Sequence, residues 1–282
     1  MDEYNQKIAE YYDVTLPYYK FFWSKDKERS AIHYGFWDSD TKSLNDALSN
    51  QNKFLADVAG INADDKVLDA GCGVGGSAIW LAKNKGARVV GITISQRQLQ
   101  KAKKLADLHG VGDEVEFYLT DYTNTKFPNE SFDVVWGIES ICHAEVKKHF
   151  LQEAYRILKI GGRLIVADGF LLREPQSERE KKILQDFLDG FALLNLARVD
   201  QFKSAIESVG FTNIKFWDKT KEVEPSSKIM YKKVKLFYPL AKILNFLHII
   251  PDLLIKNNNA GIAQRELLKS GLGGYGVFYA EK

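Results

Sequence analysis

Val67-Leu68-Asp69-Ala70-Gly71-Cys72-Gly73-Val74-Gly75-Gly76 opens as a short apolar run, meets an aspartate, and then packs four glycines into six positions. Lys66 to Ala70 has the length and apolar content of a buried strand, and Ser77 to Lys83 begins a helical pattern. The glycines between them therefore form a strand-to-helix turn. Glycine suits such a turn because it reaches positive φ and lets backbone approach a ligand. A nucleotide-like ligand is expected over the helix N-terminus.

Gly71, Gly73 and Gly76 also fit the G-x-G-x-x-G fingerprint of dinucleotide sites, a pattern with many accidental matches. Two features argue against a nicotinamide-dependent oxidoreductase, which stands as an alternative. Asp69 lies where its carboxylate would repel a pyrophosphate. The next strand, Arg88 to Thr93, ends in threonine where a dinucleotide site wants an acid for the ribose. A ligand without phosphate, carrying a positive group near Asp69, fits better.

The Asp-x-Gly-x-Gly-x-Gly form of this stretch resembles the first motif of the class I S-adenosylmethionine-dependent methyltransferases. The resemblance implies S-adenosylmethionine as cofactor and S-adenosylhomocysteine as product. Its expected contacts are Asp69, Gly71, Gly73, Thr93, Gln98, Asp121, Tyr122 and Gly137. Gly91-Ile92-Thr93-Ile94-Ser95-x-x-Gln98 is similar to a variant in the cyclopropane and sterol branch, where threonine and glutamine lie by the cofactor. Ser95 and Gln98 also stand in capping-box register, which accounts for Ser95 by itself. Asp121 follows the strand Val115 to Leu119, where it points into the cleft or closes an Asx turn.

Phe132 to Ile138 reads as the fourth strand, running into Glu139-Ser140-Ile141-Cys142-His143. Gly161-Gly162 is expected to end the helix that starts at Lys147, and Arg163 to Ala167 to form a fifth strand ending at Asp168. Glu139, His143 and Asp168 then converge at neighbouring strand ends as the catalytic candidates. Ile138-Glu139-Ser140-Ile141-Cys142-His143-Ala144 resembles the sterol C-methyltransferase pattern Ile-Glu-Ala-Thr-Cys-His-Ala. Glu139-x-x-x-His143 with Asp168 resembles instead a sugar O-methyltransferase branch, with the histidine as base. On the first likeness Glu139 steadies a carbocation and His143 or Asp168 takes its proton; a third reading has His143 only tying down the loop.

The N-terminal region to Trp37 is crowded with aromatic rings. It resembles the segment that closes over the cofactor in small-molecule methyltransferases related to sterol, tocopherol and cyclopropane-fatty-acid enzymes. Tyr12, Tyr19, His33 and Tyr34, with Phe170, are the substrate candidates. Phe170 to Ala197 is a greasy insertion, and Leu236, Leu240, Ile243, Leu247 and Ile250 fall at helical spacing. That helix packs on its own domain, caps a greasy substrate or meets a membrane surface; Pro239 is tolerable only near its first turn.

The expected fold is α/β: a Rossmann-like doubly wound sheet of seven strands with the last antiparallel, a helical N-terminal cap and a C-terminal helical lid insertion. The expected parts are residues 1–60 as cap, 61–218 as core, 219–271 as lid and 272–282 as last strand. Composition is ordinary for a soluble chain, with 45% hydrophobic and 27% charged residues, and net charge +2 gives no reason to expect nucleic acid. Both cysteines, Cys72 and Cys142, fall in ligand-site motifs, so a reducing, cytoplasmic compartment is expected and a zinc cluster is not.

The expected reaction is C-methylation of a lipophilic, isoprenoid-type acceptor, with O-methylation of a sugar or phenol as alternative. No metal is required, and Mg2+ enters only if the acceptor is a diphosphate. A diphosphate would need cations such as Lys25, Lys27, Arg29, Arg173 and Lys232 at the cleft mouth.

Overall fold

The computed structural model describes residues 3–23, with side chains up to Tyr18, and residues 33–282. Lys25, Lys27, Arg29 and the side chain of Tyr19 lie outside the described residues.

Two helices, α1 (Glu3–Trp23) and α2 (Leu44–Val58), precede the sheet. Strand and helix then alternate: β1 (Lys66–Ala70), α3 (Gly76–Lys85), β2 (Arg88–Thr93), α4 (Gln96–Leu108), β3 (Val115–Leu119), β4 (Phe132–Ile138), α5 (Lys147–Ile157), β5 (Leu158–Leu171). The chain finishes through α6 (Glu178–Gly190), α7 (Val199–Val209), β6 (Thr212–Asp218), α8 (Thr220–Phe246), α9 (Asp252–Lys269) and β7 (Gly273–Glu281). The strands form one sheet in the order β3-β2-β1-β4-β5-β7-β6, with β7 antiparallel to both its neighbours.

Side chains alternate across this sheet as the strand period requires. Val67, Val89, Val134, Trp136 and Val277 pack on one face, and Leu68, Val90, Val135, Leu164 and Phe278 on the other. Helices cover both faces, which is why β1 and β4 read as continuous apolar runs. β1 pairs with β2 on one side and β4 on the other, so the strand order reverses there. A crevice opens above the carboxyl ends of β1 and β4.

Three expectations need correction. Gly161-Gly162 does not end the helix: α5 stops at Ile157, Leu158 is already extended, and β5 begins there. The glycine pair instead exchanges backbone hydrogen bonds with the chain terminus, Gly161 donating to Lys282 at 3.0 Å and Lys282 to Gly162 at 2.9 Å. Pro239 sits deep inside α8, not in its first turn. It is exposed, so the carbonyl that loses its donor lies where solvent replaces it. Finally, the apolar run expected as one helix to Ile250 breaks after Phe246, and α9 returns antiparallel beyond Pro251.

Candidate active site

The loops after β1, β3 and β4 are stitched together at the crevice. Ser140 Oγ donates to the carbonyl of Ala70 at 2.6 Å, and the Tyr122 hydroxyl donates to the carbonyl of Ser140 at 2.9 Å. Gly71 has φ +83, and a Cβ there would stand 2.4 Å from that of Ser140. Any side chain at Gly71 would part the two loops.

Asp69, Gly71, Gly73, Thr93, Gln98, Asp121 and Tyr122 all line one chamber, roofed by Asn5, Ile8 and Tyr12 of α1. Asp69 is buried, and its Oδ2 has no hydrogen-bond partner. Burial pushes its carboxyl up to about 7, opposed by the backbone N–H of Ala78. An orphaned, reluctantly charged carboxylate suits a cationic ligand group. Gly73 presents bare backbone, with nothing within 4 Å of an added Cβ. The residues present thus fit S-adenosylmethionine.

Ser95 caps α4 by accepting from the Gln98 N–H at 3.1 Å, but the reciprocal half of the expected capping box is absent. Thr93 replaces it. Its Oγ1 accepts from the Ser95 N–H at 3.2 Å and donates to Gln98 Oε1 at 2.7 Å. Ser95 Oγ meanwhile donates to Asp13 of α1 at 2.5 Å, fastening the roof. Asp121 combines both readings: Oδ1 accepts from the Thr123 N–H at 2.7 Å, and Oδ2 from Asn5 Nδ2 at 2.7 Å, while the residue faces the chamber.

A second chamber lies beside the first. Tyr12, Glu139 and His143 line both. Beyond them its walls are aromatic and aliphatic: Tyr11, Tyr34, Tyr275, Phe187, Phe191, Leu193, Leu196 and Met230, with Cys142, Asp168 and Gly169. Its lining carries no lysine or arginine among the described residues.

Glu139 adopts φ +47, an uncommon backbone for a residue with a side chain. Its Oε1 accepts from the Tyr34 N–H at 2.7 Å and the Tyr275 hydroxyl at 2.9 Å. Burial raises its carboxyl to about 8; the Asp168 charge adds to this, and the two donors oppose it. Asp168 is also raised by burial, yet both its oxygens are engaged by backbone, Oδ2 by Cys142 N–H and Oδ1 by Gly169 N–H, each at 2.8 Å. That geometry makes Asp168 a support for the Cys142 turn. His143 is buried, its Nε2 lies 2.8 Å from the Tyr12 hydroxyl, and burial followed by the Lys147 charge lowers its pKa to about 4.

Several site candidates belong elsewhere. His33 lines the first chamber, not the second, because Tyr34 carbonyl (2.6 Å) and Gln51 Oε1 (3.1 Å) hold Nδ1 while Nε2 faces Ser77 Oγ. Gly137 reaches neither chamber; it is packed under Ile141, whose side chain would lie 3.0 Å from an added Cβ. Phe170 is core: β5 continues past Asp168 to Leu171 and turns the ring against Phe202 and Phe278. Tyr12 and Tyr34 do line the second chamber. Arg173 is committed to Glu180 at 2.6 Å, and neither it nor Lys232 lines that chamber.

Sequence reasoning missed Tyr275, Gln51 and Lys147. Gln51 Nε2 donates to the Tyr275 hydroxyl at 2.7 Å, which in turn donates to Glu139. Lys147 Nζ donates to the carbonyls of Cys142 and Ala144 at 2.7 and 2.6 Å, closing the turn that carries His143. The available signal was a glutamine on the buried stripe of α2, an unusual place for a polar side chain.

A methyltransferase domain family matches residues 68–166. Sterol 24-C-methyltransferase of Eremothecium gossypii is 30% identical over 89% of this chain. The matched domain is a methyltransferase domain, and the relatives found beside it are methyltransferases. The chain spans 64% of the length of that sterol relative. It is also 29% identical to 27-O-demethylrifamycin SV methyltransferase of Amycolatopsis mediterranei, covering 78% of this chain and 79% of the relative. Geranyl diphosphate C-methyltransferase of Streptomyces coelicolor A3(2), solved with Mg2+, geranyl diphosphate and S-adenosyl-L-homocysteine, shares the fold: TM-score 0.75, 21% identity, 99% of this chain and 98% of that one covered. The methyltransferase-domain match speaks against the nicotinamide alternative and agrees with S-adenosylmethionine as the cofactor.

Proposed function

We propose that the protein is a methyltransferase that C-methylates a lipophilic, isoprenoid-type acceptor through a carbocation. One observation carries this: the second chamber joins six aromatic rings, Tyr11, Tyr12, Tyr34, Tyr275, Phe187 and Phe191, to the carboxyl groups of the buried Asp168 and the part-buried Glu139, and holds no cationic side chain among the described residues. Aromatic faces and carboxylates stabilise a cation in a dry site. The bound cofactor supplies a methyl group activated by its sulfonium. Asp69 and the bare glycine turn hold it, and the shared wall of Tyr12, Glu139 and His143 is where acceptor and cofactor meet. Residues 1–60 and 219–271 act as cap and lid, excluding water.

An alkene that gains a methyl cation is left positively charged. Glu139 lies beside the nascent charge, and loss of a proton to His143 restores a neutral alkene. A base with pKa about 4 is sufficient for the strongly acidic hydrogens next to a carbocation, whereas it gives weak help to a hydroxyl acceptor. Nothing in the second chamber's described lining would neutralise a diphosphate. Phe191 and Met230 also line a neighbouring, largely apolar cavity of about 390 Å³ between α8, α9 and α1, room for a long tail. O-methylation is the second reading, favoured by the likeness to the rifamycin enzyme and by the Tyr12–His143 contact.

Incubation with methyl-labelled S-adenosylmethionine and a panel of sterol, terpenoid and phenolic acceptors tests the reading by mass spectrometry. Label on a former alkene carbon supports it. Label found only on hydroxyl oxygens refutes it.

A further inference from the structure

Helix α8 carries two apolar stripes where packing needs one. Val234, Phe237, Ala241 and Leu244 line the apolar cavity against α9. Leu236, Ile243, Phe246 and Leu247 face outward, and Leu236, Ile243 and Phe246 are 73%, 57% and 82% exposed. Ile249 in the following turn adds another exposed side chain. A contiguous exposed apolar surface of this kind marks an interaction site.

Charge identifies the partner. From Pro225 to Pro251 the chain has five lysines and no aspartate or glutamate. Lys228, Lys232, Lys235 and Lys242 recur at helical spacing on a stripe adjoining the exposed apolar one, and all are exposed. None forms an ion pair with a described carboxylate. A helix with apolar and lysine stripes side by side lies in the plane of an anionic bilayer, apolar side chains in the acyl boundary and lysines among the headgroups. No helix of the described residues is long and apolar enough to cross a membrane, so the contact is peripheral.

We propose that the tip of the α8–α9 hairpin docks on an anionic lipid surface. Leu240 belongs to both sides: it is half-exposed, and it lines the apolar cavity whose walls Phe191 and Met230 also face the chamber of Glu139 and His143. The docked face thus places the cavity mouth at the bilayer, and a lipophilic acceptor enters without crossing water. This deepens the acceptor reading and rests on it only for the entry route; docking stands on the hairpin alone.

The test is co-sedimentation of the full chain with vesicles of phosphatidylcholine, pure or containing phosphatidylglycerol, with no acceptor present. Binding is expected to the anionic vesicles only and to fall steeply with salt. K232E/K235E/K242E should weaken it about a hundredfold, from roughly fivefold per lysine. L236S/I243S/F246S should lose it while keeping wild-type affinity for S-adenosylhomocysteine, which shows that the fold persists. The proposal is overturned if the wild type ignores anionic vesicles, if it binds neutral ones equally, or if the serine variant still binds. It is also overturned if sedimentation velocity finds a dimer that the serine variant dissolves. An O-methylated product would refute the acceptor reading and leave vesicle binding untouched.

Discussion

Asp69 offers a titration of the whole ligand assignment. Its carboxyl is held at about 7, chiefly by burial, its Oδ2 has no hydrogen-bond partner, and the residue lines the chamber. If the cationic amino-acid end of the cofactor meets that oxygen, the ionised form binds and the protonated form does not. Between pH 7.5 and 5.5 the ionised fraction falls from about three-quarters to about three parts in a hundred, so Kd for S-adenosylhomocysteine should weaken about 25-fold. The ligand's ammonium stays charged over this range, so the slope belongs to the protein.

Isothermal titration calorimetry in two buffers of different ionisation enthalpy should find about one proton released on binding at pH 5.5, and about a quarter of one at pH 7.5. Asp69→Asn should bind weakly, by about 2 kcal/mol or more at pH 7.5, because the cation loses its partner. It should also lose the pH slope. That control matters because Glu139, near pKa 8, lines the same chamber. A Kd independent of pH in the wild type, or a slope that survives in Asp69→Asn, would show that this carboxylate does not face the cation.

His143→Ala should lower kcat by about a hundredfold or more while leaving the affinity for S-adenosylhomocysteine within about twofold, since general-base removal typically costs that much; equal losses in both would assign the histidine to holding the loop. Glu139 and Asp69 have folded pKa values above their unfolded ones, so they contribute stability that is complete below about pH 4 and lost as pH rises through 7 to 8. The melting temperature of the ligand-free protein should fall from pH 5 to pH 8, and Glu139→Gln, which mimics the protonated acid, should flatten that fall; an unchanged profile in the variant would contradict the burial argument.

Much of the sheet was legible because its strands are simple. β1, β2, β3 and β4 are short, mainly apolar segments bounded by polar or glycine punctuation, and each matches its expected range. Asp69, Thr93, Asp121 and Glu139 could be placed because they close those strands. Phe170 could not, since nothing local says that β5 runs three residues past Asp168 to pair with β7. The break between α8 and α9 was hidden for a similar reason: Leu247 and Ile250 keep the helical spacing while the backbone leaves the helix, and His248 takes φ +56. Tyr275 reaches Glu139 and Gln51 reaches Tyr275 from opposite ends of the chain, a meeting that only the closed sheet creates.

The raised carboxyls bear on why such a chamber would favour a cation that exists only in passing. At pH 7 a group with pKa about 8 is roughly nine-tenths protonated, so ionising Glu139 costs about 1.4 kcal/mol. A unit charge formed at ~5 Å in a medium of effective dielectric ~20 attracts the resulting carboxylate by about 3 kcal/mol. The ionisation is therefore unfavourable with a neutral acceptor and favourable once a carbocation forms, so the added stabilisation falls mainly on the charged state. A permanently ionised carboxylate would also attract stray cations and water into the chamber, weakening that contrast. Burial of Glu139 among Tyr34, Tyr275 and the aromatic wall thus supplies a latent counter-charge, which is the differential binding that accelerates a reaction.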